Sequence, residues 1–115
     1  MKDEQAYLIY ISESIADITE FTAEGHDAFM ASKIIQTAVL YKLETLADAA
    51  SYLSETTKAA HPEVDWSGIR GFRNRLAHGY MATNLNTVWN IVEKFLAPLK
   101  RAVDDALGTL DDNSR

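Results

Sequence analysis

The sequence contains no cysteine, which excludes a disulfide framework, a thiolate metal site and a thiol nucleophile, and fits a reducing compartment. It has only two prolines and five glycines. No Gly-rich phosphate loop, internal repeat or low-complexity run can be found among them. Long apolar runs are missing as well. The opening MKDEQAYLIYISE becomes charged again at Glu13 before a signal-peptide core could form, and no stretch approaches the about 18–20 apolar residues needed to cross a bilayer. These absences predict a soluble, cytoplasmic protein with no membrane association. The length of 115 residues leads us to expect one domain over residues 1–115, with a frayed tail at 110–115.

A basic surface is also lacking on average, since the formal net charge is −6. Non-specific coating of nucleic acid depends on displacing phosphate counterions with Lys and Arg, so that function class is disfavoured. The average hides an asymmetry. Acids crowd both ends (Asp3, Glu4, Glu13, Asp17 and Glu20, then Asp104, Asp105, Asp111 and Asp112), whereas Trp66 to Tyr80 carries Arg70, Arg73 and Arg75 with no acid.

What is present is helical periodicity. Leu8, Ile11, Ile15 and Ile18 recur at steps of three and four between Glu4 and Thr22, which predicts an amphipathic helix. After Gly25 and Asp27, the residues Ile35, Val39, Leu43, Leu46, Ala50 and Leu53 predict a second, from about Ala28 to Thr57. His61-Pro62 ends it. A third should start near Asp65 or Ser67 and stop at Gly79, burying Ile69, Phe72 and Leu76. Val88, Val92, Phe95, Leu99, Val103, Ala106 and Leu110 predict a last helix, kinked or broken at Pro98. The expected fold is all-α, an antiparallel bundle of four to five helices, of a size that often gains stability by dimerising.

Chemically capable residues are dense only between Ile69 and Tyr80. Histidine exchanges protons near neutral pH, arginine offers a permanent planar charge suited to phosphate, and asparagine can orient either. Together they suit phosphoryl chemistry without a metal or other cofactor. On an ideal helix Arg70, Asn74 and His78 form one polar stripe, while Arg73 lies about 140° around from His78. Spacing alone therefore favours Arg70 over Arg73, and Arg75 is also a neighbour of His78. The same residues would equally fit a solvated helix face with His78 favoured by the helix dipole.

The string Arg73-Asn74-Arg75-Leu76-Ala77-His78-Gly79-Tyr80 resembles the R-x4-H-x-Y signature of HEPN-domain ribonucleases, specifically the HepT-like toxins paired with minimal nucleotidyltransferase antitoxins. The stretch Gln36 to Ser54 resembles that family's second long helix, and Pro62, Trp66, Ile69 and Val88-Trp89 resemble its flanks. The resemblance implies a HEPN-like homodimer with its motif in a cleft between chains, cleaving an RNA substrate without metal. It implies Arg73 and His78 as the catalytic pair, Asn74 as a supporting polar group, and Tyr80 as the hydroxyl that the nucleotidyltransferase antitoxin adenylylates; Arg70 or Arg75 would help Arg73 to stabilise charge on the phosphate. A two-fold axis would bring Arg73 of one chain toward His78 of the other. Tyr41 and Asp48 stand where relatives often have Arg and Glu.

A different class of function also fits: a catalytically silent HEPN-like module binding RNA, a nucleotide or a partner protein through the same basic cleft. Elsewhere, His26 and His61 are expected to be surface loop residues without ligand partners. Trp66 and Trp89 are expected to pack in or near the core rather than stack a base. Asp104-Asp105 and Asp111-Asp112 are expected to form a solvated end.

Overall fold

A computed structural model describes residues 2–77 and 84–113, with side chains over 4–76 and 84–110. The period of three and four near the start of the chain produces helix α1, Lys2–Phe21, whose Leu8, Ile11, Ile15 and Ile18 are all buried. Gly25 follows at φ 94°. That left-handed conformation strains any residue with a Cβ, which is why a glycine turns the chain here.

The helix expected over 28–57 is three shorter ones: α2 (His26–Ala31), α3 (Lys33–Ala50) and α4 (Glu55–Ala59). Two serines make the breaks. Ser32 is extended, and its hydroxyl accepts the Ile35 N–H at 3.2 Å. Gln36 donates to the carbonyls of Phe29 and Met30 at 2.9 and 3.1 Å. Side chains thus replace the ladder bonds that the break removes. After α3, the Ser54 hydroxyl caps α4 by accepting the Thr57 N–H at 3.1 Å. The Ser54 N–H in turn donates to Glu4 at 2.8 Å, tying the start of α1 to this turn. Burial alone would raise the Glu4 carboxyl, but that N–H, together with the Thr57 and Ser54 hydroxyls, outweighs it and holds the group below its ordinary value.

Helix α5, Trp66–Ala77, begins where the sequence predicts. Asp65 caps it by accepting the Gly68 N–H at 2.9 Å. A Cβ on Gly68 would collide with that carboxylate, so the glycine permits the close approach. Its predicted stop at Gly79 lies outside the described residues. Asn84 caps α6 (Leu85–Lys94), and α7 (Leu96–Asn113) follows after Phe95. The expected break therefore falls three residues before Pro98, since a proline ring crowds the carbonyl four residues earlier, that of Lys94. Pro98 itself sits in the first turn of α7, where no N–H is needed. The backbone stays helical to Asn113, beyond the expected onset of fraying.

The fold is an all-α bundle with no strand among the described residues. Helix α1 packs against α3 and α7, α3 also against α5 and α2, and α6 against α7. Leu8, Ile11, Ile18, Phe29, Val39, Leu43, Leu46, Val88, Leu99 and Val103 fill the centre. No described helix is long and apolar enough to cross a membrane.

Candidate functional site

Because Ile69, Phe72 and Leu76 are buried, the polar residues between them are turned outward along the seam where α5 meets α3. Arg70, Arg73 and Asn74 from α5 line a cleft of about 170 Å³ with Ala47, Ala50 and Ser51 from the end of α3, and with Lys58 and Trp66. Arg73 and Asn74 also border an adjoining hollow, together with Glu44, Thr45 and Asp48. Arg73 stands on the ridge between the two.

The Arg73 guanidinium donates through Nη2 to Asp48 Oδ1 at 2.8 Å, with side chains 38% and 51% exposed. This half-solvated pair holds Arg73 over the α3 side of the cleft. One oxygen of the carboxylate is engaged, and the guanidinium keeps further donors for an anion. Arg70, one turn before Arg73, and Asn74, the next residue after it, are both exposed.

Three of the six residues singled out in the sequence therefore come together: Arg70, Arg73 and Asn74. Arg73 shares a face with the other two, so the angular preference for Arg70 does not separate them here. Arg75 lies apart, against Phe72, Leu76, Thr87 and Val88 on the α6 side. His78 and Tyr80 lie outside the described residues. Asp48 was legible only as the position where similar proteins often carry Glu; its pairing with Arg73 across 25 residues leaves no spacing signal. Nothing in the sequence pattern marked Lys58 or Ser51 as cleft residues.

One expectation needs correction. His61 is buried rather than a surface loop residue: its Nδ1 lies 3.2 Å from Glu63 and its Nε2 3.6 Å from Asp105 of α7. Its carbonyl accepts the Trp66 indole N–H at 3.0 Å, and the Lys58 carbonyl accepts the same N–H at 3.1 Å. The loop is drawn against α7 by these bonds, a tertiary effect that Pro62 did not signal. Asp104 and Asp105 are exposed, as expected, and Asp104 accepts from Lys100 at 2.7 Å and from Ser12 at 3.2 Å; the side chains of Asp111 and Asp112 lie outside the described residues. His26 is at the surface, its ring edge-on to Trp89 at 5.4 Å. Trp66 and Trp89 are half-buried beside the core. Among the described residues no three His, Asp or Glu side chains converge as metal ligands would.

Fold and cleft define a small helical bundle whose acidic body carries an arginine- and asparagine-lined groove. The chain belongs to the ribonuclease HepT-like family, whose model matches residues 11–106. It is 32% identical over 104 residues to the Methanocaldococcus jannaschii protein named "Putative RNase MJ1380", covering 90% of this chain and 95% of that one. It is 36% identical over 92 residues to "Putative RNase MJ0127" of the same organism, covering 79% and 76%. To "Probable ribonuclease HepT" of Thermococcus cleftensis it is 33% identical over 95 residues, covering 82% and 86%. No solved structure gives a significant match.

Proposed function

We propose that this member of a ribonuclease family is a metal-independent endoribonuclease, acting as the toxin of a type VII-like pair with a nucleotidyltransferase antitoxin in the cytoplasm. The observation that carries the reading is Arg73, held by Asp48 at 2.8 Å in a groove it shares with Arg70 and Asn74. His78, five residues on, takes the proton of a ribose 2′-hydroxyl. The 2′-oxygen attacks the adjacent phosphorus, the bond to the 5′-oxygen breaks, and the leaving oxygen is protonated, the second His78 of a homodimer being the acid. Arg73, assisted by Arg70, meets the charge that builds on the phosphorane oxygens. The products carry a 2′,3′-cyclic phosphate and a 5′-hydroxyl.

A homodimer is part of the proposal, because Arg73 and His78 diverge on one helix and meet most readily between two. Regulation follows at Tyr80. The antitoxin transfers AMP from ATP to its hydroxyl, forming the O–P bond and releasing pyrophosphate, and the added anion occupies the arginines that an RNA phosphate needs.

The test is cleavage of RNA in EDTA by the wild type and by His78→Ala, with product ends read by mass spectrometry. Cyclic-phosphate ends from the wild type, and a loss of about 10²–10⁴ in rate for the variant, are expected. Activity that vanishes in EDTA and returns with magnesium refutes the mechanism, and unimpaired RNA binding without cleavage leaves a binding module. Co-expression with the nucleotidyltransferase should add AMP to the peptide holding Tyr80 and spare Tyr80→Phe.

A further inference from the structure

The cleft extends past Arg73, away from Asp48, to a compartment that phosphate chemistry alone does not require. Its walls are Ala47, Ala50 and Ile69 on the apolar side, Trp66 at one end, and Lys58, Ser51 and Arg70 around the rim. Trp66 is half-buried and fixed, because its indole N–H is shared between the carbonyls of Lys58 and His61 at 3.1 and 3.0 Å. With its one polar atom engaged, what Trp66 shows to the cleft is carbon. The whole cleft, Arg73 and Asn74 included, measures about 170 Å³, below the about 300–1,000 Å³ of pockets for drug-sized ligands, so beside a phosphate at Arg73 it has room for no more than a single flat ring system.

We propose that this compartment is a nucleobase subsite adjoining the phosphate held at Arg73, with the base against Trp66 and Ile69 and its edge read by Lys58 and Arg70. The proposal rests on the ribonuclease reading and deepens it by naming which part of the RNA is selected. The rim cations are donors. The Lys58 side chain is only 14% exposed, and its ammonium, 3.9 Å from the Glu55 carboxylate, can donate hydrogen bonds but not accept them. The guanidinium of Arg70 likewise only donates. The Ser51 hydroxyl already donates to the Asp48 carbonyl at 2.6 Å, which leaves its oxygen to accept. A base edge with two adjacent acceptors matches two donors best, and guanine offers one at O6/N7 and cytosine one at N3/O2; of the two, the larger purine face of guanine covers more of Trp66 and Ile69. The subsite therefore selects guanine next to the cleaved bond.

Binding separates this claim from cleavage. The native protein is titrated with GMP, AMP, CMP and UMP, with ribose 5-phosphate and inorganic phosphate as controls, and its tryptophan fluorescence is followed. GMP should quench at the lowest concentration, and the two controls should leave the emission unchanged. Trp66→Leu, checked for fold by circular dichroism, should weaken GMP binding about 5- to 150-fold, the worth of one stacked base. If that variant unfolds, Trp89→Phe serves instead: Trp66 is then the sole emitter, and the GMP-dependent quench must persist. Lys58→Ala should bring GMP down to the level of UMP. Equal binding of all four nucleotides, or a quench reproduced by ribose 5-phosphate, overturns the subsite even if RNA is cleaved. Selective GMP binding by a protein that cleaves nothing upholds the subsite and refutes the nuclease.

Discussion

The Arg73–Asp48 pair lends itself to a quantitative test, because its two possible roles differ in magnitude. With side chains 38% and 51% exposed and a 2.8 Å contact, it belongs with solvent-screened pairs worth about 0.2–1 kcal/mol. Asp48→Asn should therefore cost no more than about 1 kcal/mol of stability, a fall in Tm of about 4 °C at this chain size. If the pair only positions Arg73, losing it lowers the fraction of correctly placed guanidinium by at most the same energy, which is about a fivefold loss of cleavage rate. Arg73→Ala removes the charge itself and should cost about 10²–10³, as removal of a donor to a developing oxyanion does. Thermal melts monitored by circular dichroism, and single-turnover cleavage of one labelled RNA by the wild type, both single variants and the double variant, give the comparison. The double variant should match Arg73→Ala in rate, since there is nothing left for Asp48 to place. A faster Asp48→Asn enzyme would refute the positioning role, for it would mean that the carboxylate competes with substrate. A Tm fall beyond about 15 °C would refute the estimate of a screened contact.

Arg70 lines the cleft and Arg75 lies on the α6 side, so Arg70→Ala should weaken binding of an uncleavable 2′-deoxy oligonucleotide by more than Arg75→Ala does; filter binding in which Arg75→Ala is the worse binder would contradict the geometry. Glu4 is held below its ordinary value by Ser54 and its neighbours. Its contribution is present above the unfolded carboxyl pKa of about 4.3 and is lost as pH falls through the folded one. The stability gap between wild type and Glu4→Gln in urea should accordingly close between pH 5 and about pH 3, and a gap constant with pH would discount the contact. Phe29, at 0% exposure against Trp89, should cost about 3–5 kcal/mol when replaced by alanine; a loss below about 1 kcal/mol in urea denaturation would place it outside the core.

Much of the bundle was legible in the spacing of apolar residues, because burial of one face is a period that can be counted. Leu8 to Ile18 and Ile69 to Leu76 are buried where the period puts them. The breaks at Ser32 and Ser54 were not legible, since a lone serine is compatible with a helix interior and becomes a cap only when its neighbours, Gln36 or Glu4, complete the turn. For the cleft, the local triplet Arg70, Arg73 and Asn74 was visible in one stretch. Asp48, Lys58 and Trp66 come from other elements, and only packing of α3 on α5 and of the Pro62 loop on α7 sets them beside it. Arg75 shows the converse. Adjacent in sequence to Asn74, it faces another helix, because one residue along α5 turns a side chain by about 100°.

The order in which the helices are made has its own consequence. Helix α1 leans on α3 and on α7, and Ser12 meets Lys100 and Asp104 across that second contact. During translation α1 leaves the ribosome long before α7, by the time taken to add the roughly 75 intervening residues, about 4–15 s at 5–20 residues per second. Throughout that interval one flank of α1 is uncovered. A chain released early, from a broken message for instance, keeps that flank wet and so offers proteases a less protected helix than the finished bundle does.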